Sequence, residues 1–327
     1  MDIYFYKLQL KEPTHFGLTG IDLENLTEWV NSDTLFSALM NAAHTVYGND
    51  FVSDYIDQFR HNPPFLISSL FLYAGDIFFL PRPLSDGNIT PDKRRGLGKS
   101  HKKLKWLNLE HFYKWNTGEV ITEEDIERME SIQDEYKKAF AVDIRPRVSL
   151  DRTTQNSNIY HCGYLYFTKN SGLYGLVAFN NQPGIEKFKD LLASLGEIGL
   201  GGEKTYGCGT FEVSQFEKVS GLMKSIMEDK ADNYTLLSLY HPSDAETDAL
   251  NNELIAYDIL RKRGWITSGR YALPLKRKSV GFICEGSVSG IPLNGTIVDV
   301  TPDNYPPDIL EHKVYRYGYA FTAPFGR

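Results

Sequence analysis

Tyr4, Tyr6, Leu8 and Leu10 alternate with less apolar neighbours almost from the start of the chain, a period of two that predicts a half-buried first strand. The period then changes. In SDTLFSALMNAAHTVYG, residues Leu35, Phe36, Leu39, Met40, Ala43, Val46 and Tyr47 share one face of a predicted helix. Ser32 or Asp33 can cap its start, and Gly48 marks its end. NIYHCGYLYF and GLYGLVAFN flank the turn signal TKNSG and predict a β-hairpin. Ile185, Phe188, Leu191, Leu192 and Leu195 follow Pro183 as a short amphipathic helix closed by Gly196, after which a glycine-rich stretch leads into the strand TFEV.

Strand, helix, two strands, helix, strand is the βαββαβ order of a ferredoxin-like fold, here with a large insertion at about residues 49–141. The insertion holds FLISSLFLYAGDIFFLPRPL, the basic run KRRGLGKSHKKLKW, and an acidic helix with Ile126, Met129, Ile132, Tyr136 and Phe140 on one side. A second unit begins after about Ser220. Its strand candidates are YTLLSLY, SVGFICEG, GTIVDV and KVYRYGYAF, with a polar helical connection after the first. The expected class is α+β, with an N-terminal unit over 1–220 and a C-terminal unit over 221–327.

Composition adds limits. At 327 residues, 42% hydrophobic and 24% charged, the chain is long enough for two globular units with real cores. Cys162, Cys208 and Cys284 are odd in number and far apart, which supports neither a disulfide framework nor a zinc site and fits a reducing cytoplasm. The first residues read as a strand and not as a signal peptide, and no apolar run reaches membrane-spanning length. The net charge of −7 argues against indiscriminate nucleic-acid binding, yet residues 93–115 carry eight Lys or Arg against one Asp or Glu. Such an island is either a solvated loop or a defined contact with a polyanion. Lys93, Arg94, Arg95, Lys102 and Lys103 are its candidate contacts.

The sharpest chemical signal is LGEIGLGGEKTYGCGTFEV. Bare backbone of this kind lets main-chain N–H groups approach phosphate. It is no Walker A loop, since Glu203 stands between Gly202 and Lys204, and no dinucleotide fingerprint, since Lys204 occupies the third glycine position and a strand follows.

Placed between the second helix and the last strand of a ferredoxin-like unit, Gly199-Leu-Gly201-Gly202-Glu-Lys204-Thr-Tyr206-Gly207-Cys-Gly209 resembles the glycine loop of the RAMP superfamily of CRISPR RNA-binding proteins. THFGLTG, SDTLFSAL, RPRVSLDRTTQNSNIY, GWITSG and HKVYRYGYAF together are similar to the fourth subunit of the type III-A Csm effector complex, and this likeness runs from end to end. The resemblance implies two ferredoxin-like domains and a non-catalytic subunit without cofactor. It further implies a subunit that holds the 5′ tag of the CRISPR RNA and contacts the large polymerase-like subunit and the first backbone subunit.

A single-stranded tag offers phosphates, 2′-hydroxyls and splayed bases. Gly199, Gly201, Gly202 and Gly207 can bring N–H groups to phosphates, Lys204 adds charge, and Tyr206 can stack; the alternative is a loop whose glycines only satisfy backbone geometry. Arg145, Arg147 and Arg152 are phosphate clamps, unless one pairs with Asp143 or Asp151. His15 and Gly17, in THFG, are a further RNA contact or a structural turn. His15 also raises the alternative of a repeat-processing endoribonuclease, for which no acid–base partner stands at a defensible spacing. A third reading is a protein that is mainly scaffold. Asp33 is expected to cap its helix. Arg316 and Lys276 to Lys278 face RNA, a partner or solvent. No metal or polymerase motif is present.

Overall fold

The computed structural model describes residues 1–17, 23–89, 104–150, 156–180, 182–229, 231–250, 253–266, 275–303 and 312–326. In chain order the first part comprises β1 (Asp2–Leu10), α1 (Ser32–His61), β2 (Phe65–Ile67), β3 (Phe71–Ala74), β4 (Ile77–Pro81) and β5 (Trp106–Asn108). Next come α2 (Leu109–Asn116), α3 (Glu123–Lys138), β6 (Phe140–Leu150), β7 (Ser157–Phe167), β8 (Ser171–Phe179), α4 (Gln182–Ile198) and β9 (Phe211–Lys218). The C-terminal part holds α5 (Gly221–Glu228), β10 (Asn233–Leu236), α6 (Asp244–Leu250), β11 (Leu254–Ala256), β12 (Ile259–Lys262), β13 (Trp265–Ile266) and β14 (Leu275–Lys276). It ends with β15 (Val280–Ile283), β16 (Val288–Ser289), β17 (Gly295–Asp299), β18 (Tyr315–Tyr319) and β19 (Thr322–Phe325).

The main sheet runs β5-β4-β3-β8-β1-β9, with β2 also on β8. Strands β2 and β3 lie end to end along β8, opposite Val177–Phe179 and Ser171–Tyr174. Between them Ser68 Oγ accepts the Leu176 N–H at 2.9 Å. All nine residues of β8 are buried, because the sheet is covered on both faces. Tyr6, Leu8, Leu173 and Val177 face α1 and α4, whereas Phe5, Tyr174 and Leu176 face α2, α3 and α5. The expected apolar side of the acidic helix is the buried side of α3, through Ile126, Met129 and Tyr136.

Several expectations change, among them the polar connection expected to be helical, which is helix only over Asp244–Leu250 and continues as β11 and β12. The predicted hairpin does not form: the TKNSG turn is there, but β7 pairs with β6 over eleven residue pairs and β8 enters the main sheet. The strand that neighbours β8 is instead β2/β3, from a segment assigned to the insertion. Gly48 does not end the first helix but breaks it, at φ +84°, and helical structure resumes to His61. Asp33 does not cap that helix. Asn31 holds the N-cap position, the Ser32 hydroxyl accepts the Leu239 N–H at 3.0 Å, and Asp33 is fully buried in an ion cluster. Lys262 Nζ lies 2.5 Å from its Oδ1 and Arg316 Nη1 2.5 Å from its Oδ2, so Arg316 faces neither RNA nor solvent.

The C-terminal part is joined to the first through shared core. Tyr317, Tyr319 and Ile297 belong to the α1 side, with the Tyr317 ring 5.2 Å from that of Phe36. Leu237, Phe321 and Ala323 belong to the opposite side. The Ile67 N–H donates to the Tyr317 hydroxyl at 2.9 Å, and the Ser69 N–H to the Leu237 carbonyl at 2.8 Å.

Candidate nucleic-acid interface

Three segments meet at one end of the main sheet: Pro13–Gly17 after β1, the β6–β7 ribbon, and the glycine loop between α4 and β9. Thr14 bridges to Leu165 of β7, and the Gly209 N–H donates to the Pro13 carbonyl at 2.9 Å. The Gly202 N–H donates to the His15 carbonyl at 2.8 Å. At Gly201, φ is +100° and a Cβ would lie 2.6 Å from the His15 oxygen; at Gly209, φ is +82° and a Cβ would lie 2.1 Å from the Leu200 oxygen. Side chains at either position would push the loop off its neighbours.

The N–H groups of Gly199, Gly202 and Gly207 therefore do not form the open row that a phosphate cradle suggests. They donate to the carbonyls of Leu195, His15 and Lys204. Gly207, at φ +80° with open space where a side chain would stand, closes the 3₁₀ turn Lys204–Tyr206.

That turn carries the chemistry. Tyr206 is 65% exposed. The Arg147 guanidinium sits 3.9 Å from its ring centroid and 5.5 Å from that of Tyr164, donates to the Tyr164 hydroxyl, and has Glu203 at 3.8 Å. These partners hold the Arg147 pKa above its ordinary value, the Tyr164 hydroxyl first. The outcome is a layered site in which a cation backs one face of an exposed ring. Lys204 beside it is half-buried and, among the described residues, has no carboxylate within ion-pair distance. Burial lowers its pKa.

Arg145 lies along the same ribbon face, bonded to Asp143 at 2.8 Å and stacked over Tyr164 and Tyr166 at 5.4 and 5.6 Å. The pairing with Asp143 is the one the sequence left open. His15 is 5% exposed, and its Nδ1 lies 2.8 Å from the Gly163 carbonyl, so that nitrogen carries the proton and donates it. Gly17 stands over the His15 ring, where a Cβ would lie 3.0 Å from Nε2. His15 thus ties this segment to the loop through its carbonyl, which accepts the Gly202 N–H. Arg152 and the island residues Lys93, Arg94, Arg95, Lys102 and Lys103 lie outside the described residues.

Sequence reasoning missed Glu203, Tyr164 and Tyr166. The signal was present: Tyr160, Cys162, Tyr164 and Tyr166 alternate in β7, and register opposite Arg147 and Arg145 puts them on the arginine face. The other ribbon face exposes an apolar row at more than half of each residue's surface: Val142, Ile144, Val148, Leu150 and Ile159. Cys162 and Cys208 are buried beneath the site, and burial raises both thiol pKa values. Among the described residues no His, Cys, Asp and Glu group is arranged to hold a metal, and no helix is long and apolar enough to cross a membrane.

Comparison with known proteins matches residues 7–212 to the RAMP superfamily and residues 229–325 to the CRISPR Csm4 C-terminal domain. CRISPR system Cms protein Csm4 of Thermococcus onnurineus is 30% identical over 307 residues, covering 89% of each chain. The Mycobacterium tuberculosis protein of the same name is 26% identical over 93% of this chain and 92% of its own. In fold, the chain resembles one in the crystal structure of the Csm3-Csm4 subcomplex of the type III-A interference complex, with a TM-score of 0.65 at 17% identity and complete coverage of both. A chain in the Csm1-Csm4 cassette in complex with cA4 gives a TM-score of 0.58 at 24% identity, over 99% of this chain and 98% of that one.

Proposed function

The chain belongs to the RAMP superfamily and within it to the Csm4 proteins, and from that premise we propose that it is a non-catalytic RNA-binding subunit of a type III-A CRISPR interference complex. It holds the 5′ tag of the CRISPR RNA and joins the large polymerase-like subunit to the backbone. Lys204 is the observation that carries the RNA reading. Keeping a half-buried ammonium without a counter-charge costs stability, a cost relieved when a phosphate arrives. Tyr206 then stacks a base on its free face while Arg147 backs the other. Arg145 and Arg147 line the path of the backbone, and the island residues with Arg152 extend the contact.

Joining subunits fits the exposed apolar row on the ribbon, which a partner would cover, and the relatives whose structures contain Csm1 or Csm3 beside Csm4. The strand order β9-β1-β8-β2/β3 with α1 and α4 on one face supports a ferredoxin-like N-terminal unit whose insertion begins after β3. The matched ranges 7–212 and 229–325 support a division near Ser220, and the family resemblance implies a second ferredoxin-like unit after it and a cytoplasmic location. The endoribonuclease alternative is weakened at His15, whose Nδ1 is engaged and whose ring is buried.

The test compares the affinity of the chain for RNA with and without the 5′ tag, in wild type and in Arg147→Ala/Lys204→Ala. Tighter binding of tagged RNA, lost in the double variant, is expected. Equal affinities throughout contradict tag holding, and tag-specific cleavage in EDTA contradicts a non-catalytic role.

A further inference from the structure

From Ile255 to Trp265 every second residue is exposed, while Lys262 and Ile266 point inward at 4% and 8% exposure. The outward row thus ends in Arg261, Arg263 and Trp265. Strand β14 adds to it: Lys276 is the register partner of Trp265, with its ammonium 6.0 Å from the indole, and the Arg277 N–H donates to the Gly264 carbonyl at 2.9 Å.

Charge here is one-sided. Among the described residues none of Arg261, Arg263, Lys276 and Arg277 has a carboxylate within ion-pair distance, and Lys278 is paired with Asp303 at 2.6 Å. Beneath them Lys262 and Arg316 share the single carboxylate of Asp33, and Arg316 Nη2 donates to the Arg263 carbonyl at 2.9 Å. Arg277 is half-buried beside that cluster, and among the described residues its buried Nε has no hydrogen-bond partner. Surplus cations over a shared buried counter-ion, next to a Trp that is 54% exposed, are the two parts of a single-strand platform.

We propose that Arg261, Arg263, Trp265, Lys276 and Arg277 form a second seat for single-stranded RNA, on the C-terminal part of the chain and separate from the glycine loop. Trp265 stacks a base and the guanidinium and ammonium groups take the flanking phosphates. A protein partner is the poorer fit, since four cations without an ion-pair partner among the described residues would require a matching acidic face in addition to an aromatic contact.

Trp265 also supplies the assay, because Trp106 and Trp115 are buried and Trp29 is half-buried against Phe71 and Trp106. The full-length chain is titrated with an eight-residue oligouridylate that lacks any tag, and Trp emission is read beside polarisation of the labelled RNA. Saturable quenching is expected in wild type and equally in Arg147→Ala/Lys204→Ala, which keeps this seat distinguishable from the loop. Trp265→Phe should abolish the quenching. Arg263→Ala/Arg277→Ala, checked for folding by thermal melting, should reduce the salt slope of binding by about 1.4, two contacts at roughly 0.7 each. Unchanged emission at saturating RNA, loss of quenching in the loop variant, or equal quenching by a decaglutamate peptide at the same salt would overturn the proposal.

Discussion

Two residues pull stability and function apart. Lys204 is held in its charged form against burial, so the unfolded chain binds its proton more tightly than the folded one. Its charge therefore opposes folding at neutral pH, and the penalty shrinks as pH rises through the lowered pKa. Lys204→Met should raise the stability of the free chain while weakening RNA binding, as read by thermal melting and titration. Asp33 behaves oppositely. It is the shared counter-ion of Lys262 and Arg316, whose side chains are 6% and 7% exposed, so Asp33→Ala leaves two buried cations unpaired. A loss of about 3–5 kcal/mol in urea denaturation is expected, and one below about 1 kcal/mol would show that the cluster is relieved by water. From sequence, Asp33 at a helix start read as a cap, because the cations that claim it lie 229 and 283 residues away.

At the scale of elements, α3 depends on a small polar knot. Thr122 and Asp125 form a capping box, and Lys114 of α2 reaches Asp125 at 2.6 Å. Burial alone would raise the Asp125 pKa, but Lys114 and the Thr122 N–H and hydroxyl outweigh it and hold it at about 2. A carboxylate lowered in this way stabilises the fold above its unfolded pKa and loses that contribution as pH falls toward the folded value. Asp125→Ala should cost about 2 kcal/mol at pH 7, with the gap to wild type closing between about pH 4 and pH 2 in acid unfolding. Elements with a clean local period were legible: β1, the apolar face of α3, and the glycine loop between α4 and β9. The strand pairing was not. TKNSG is a sound turn, but β7 finds a longer partner in β6, and β8 is buried on both faces by long-range pairing that no local pattern encodes. Within the candidate site, Lys204, Tyr206 and the arginines stood out by type, whereas Glu203 entered only through the fold and the alternation that carries Tyr164 gained its meaning from the register of β7 with β6.

At the scale of the whole molecule, the two parts read from sequence share their cores. Residues 1–220 alone would uncover the surface of α1 that holds Ile297, Tyr317 and Tyr319, and that fragment should aggregate or lack fixed aromatic packing in near-ultraviolet circular dichroism. A soluble, cooperatively folding fragment would contradict a shared core. The same continuity carries rigidity to the loop, where Gly202 and Gly209 bond to the segment that follows β1. A preformed loop holding an unneutralised Lys204 toward a single strand is the central claim. It is tested most directly by the salt dependence of binding to tagged RNA in wild type and Lys204→Met. Loss of one phosphate contact predicts a slope lower by about 0.7, and an unchanged slope would contradict it.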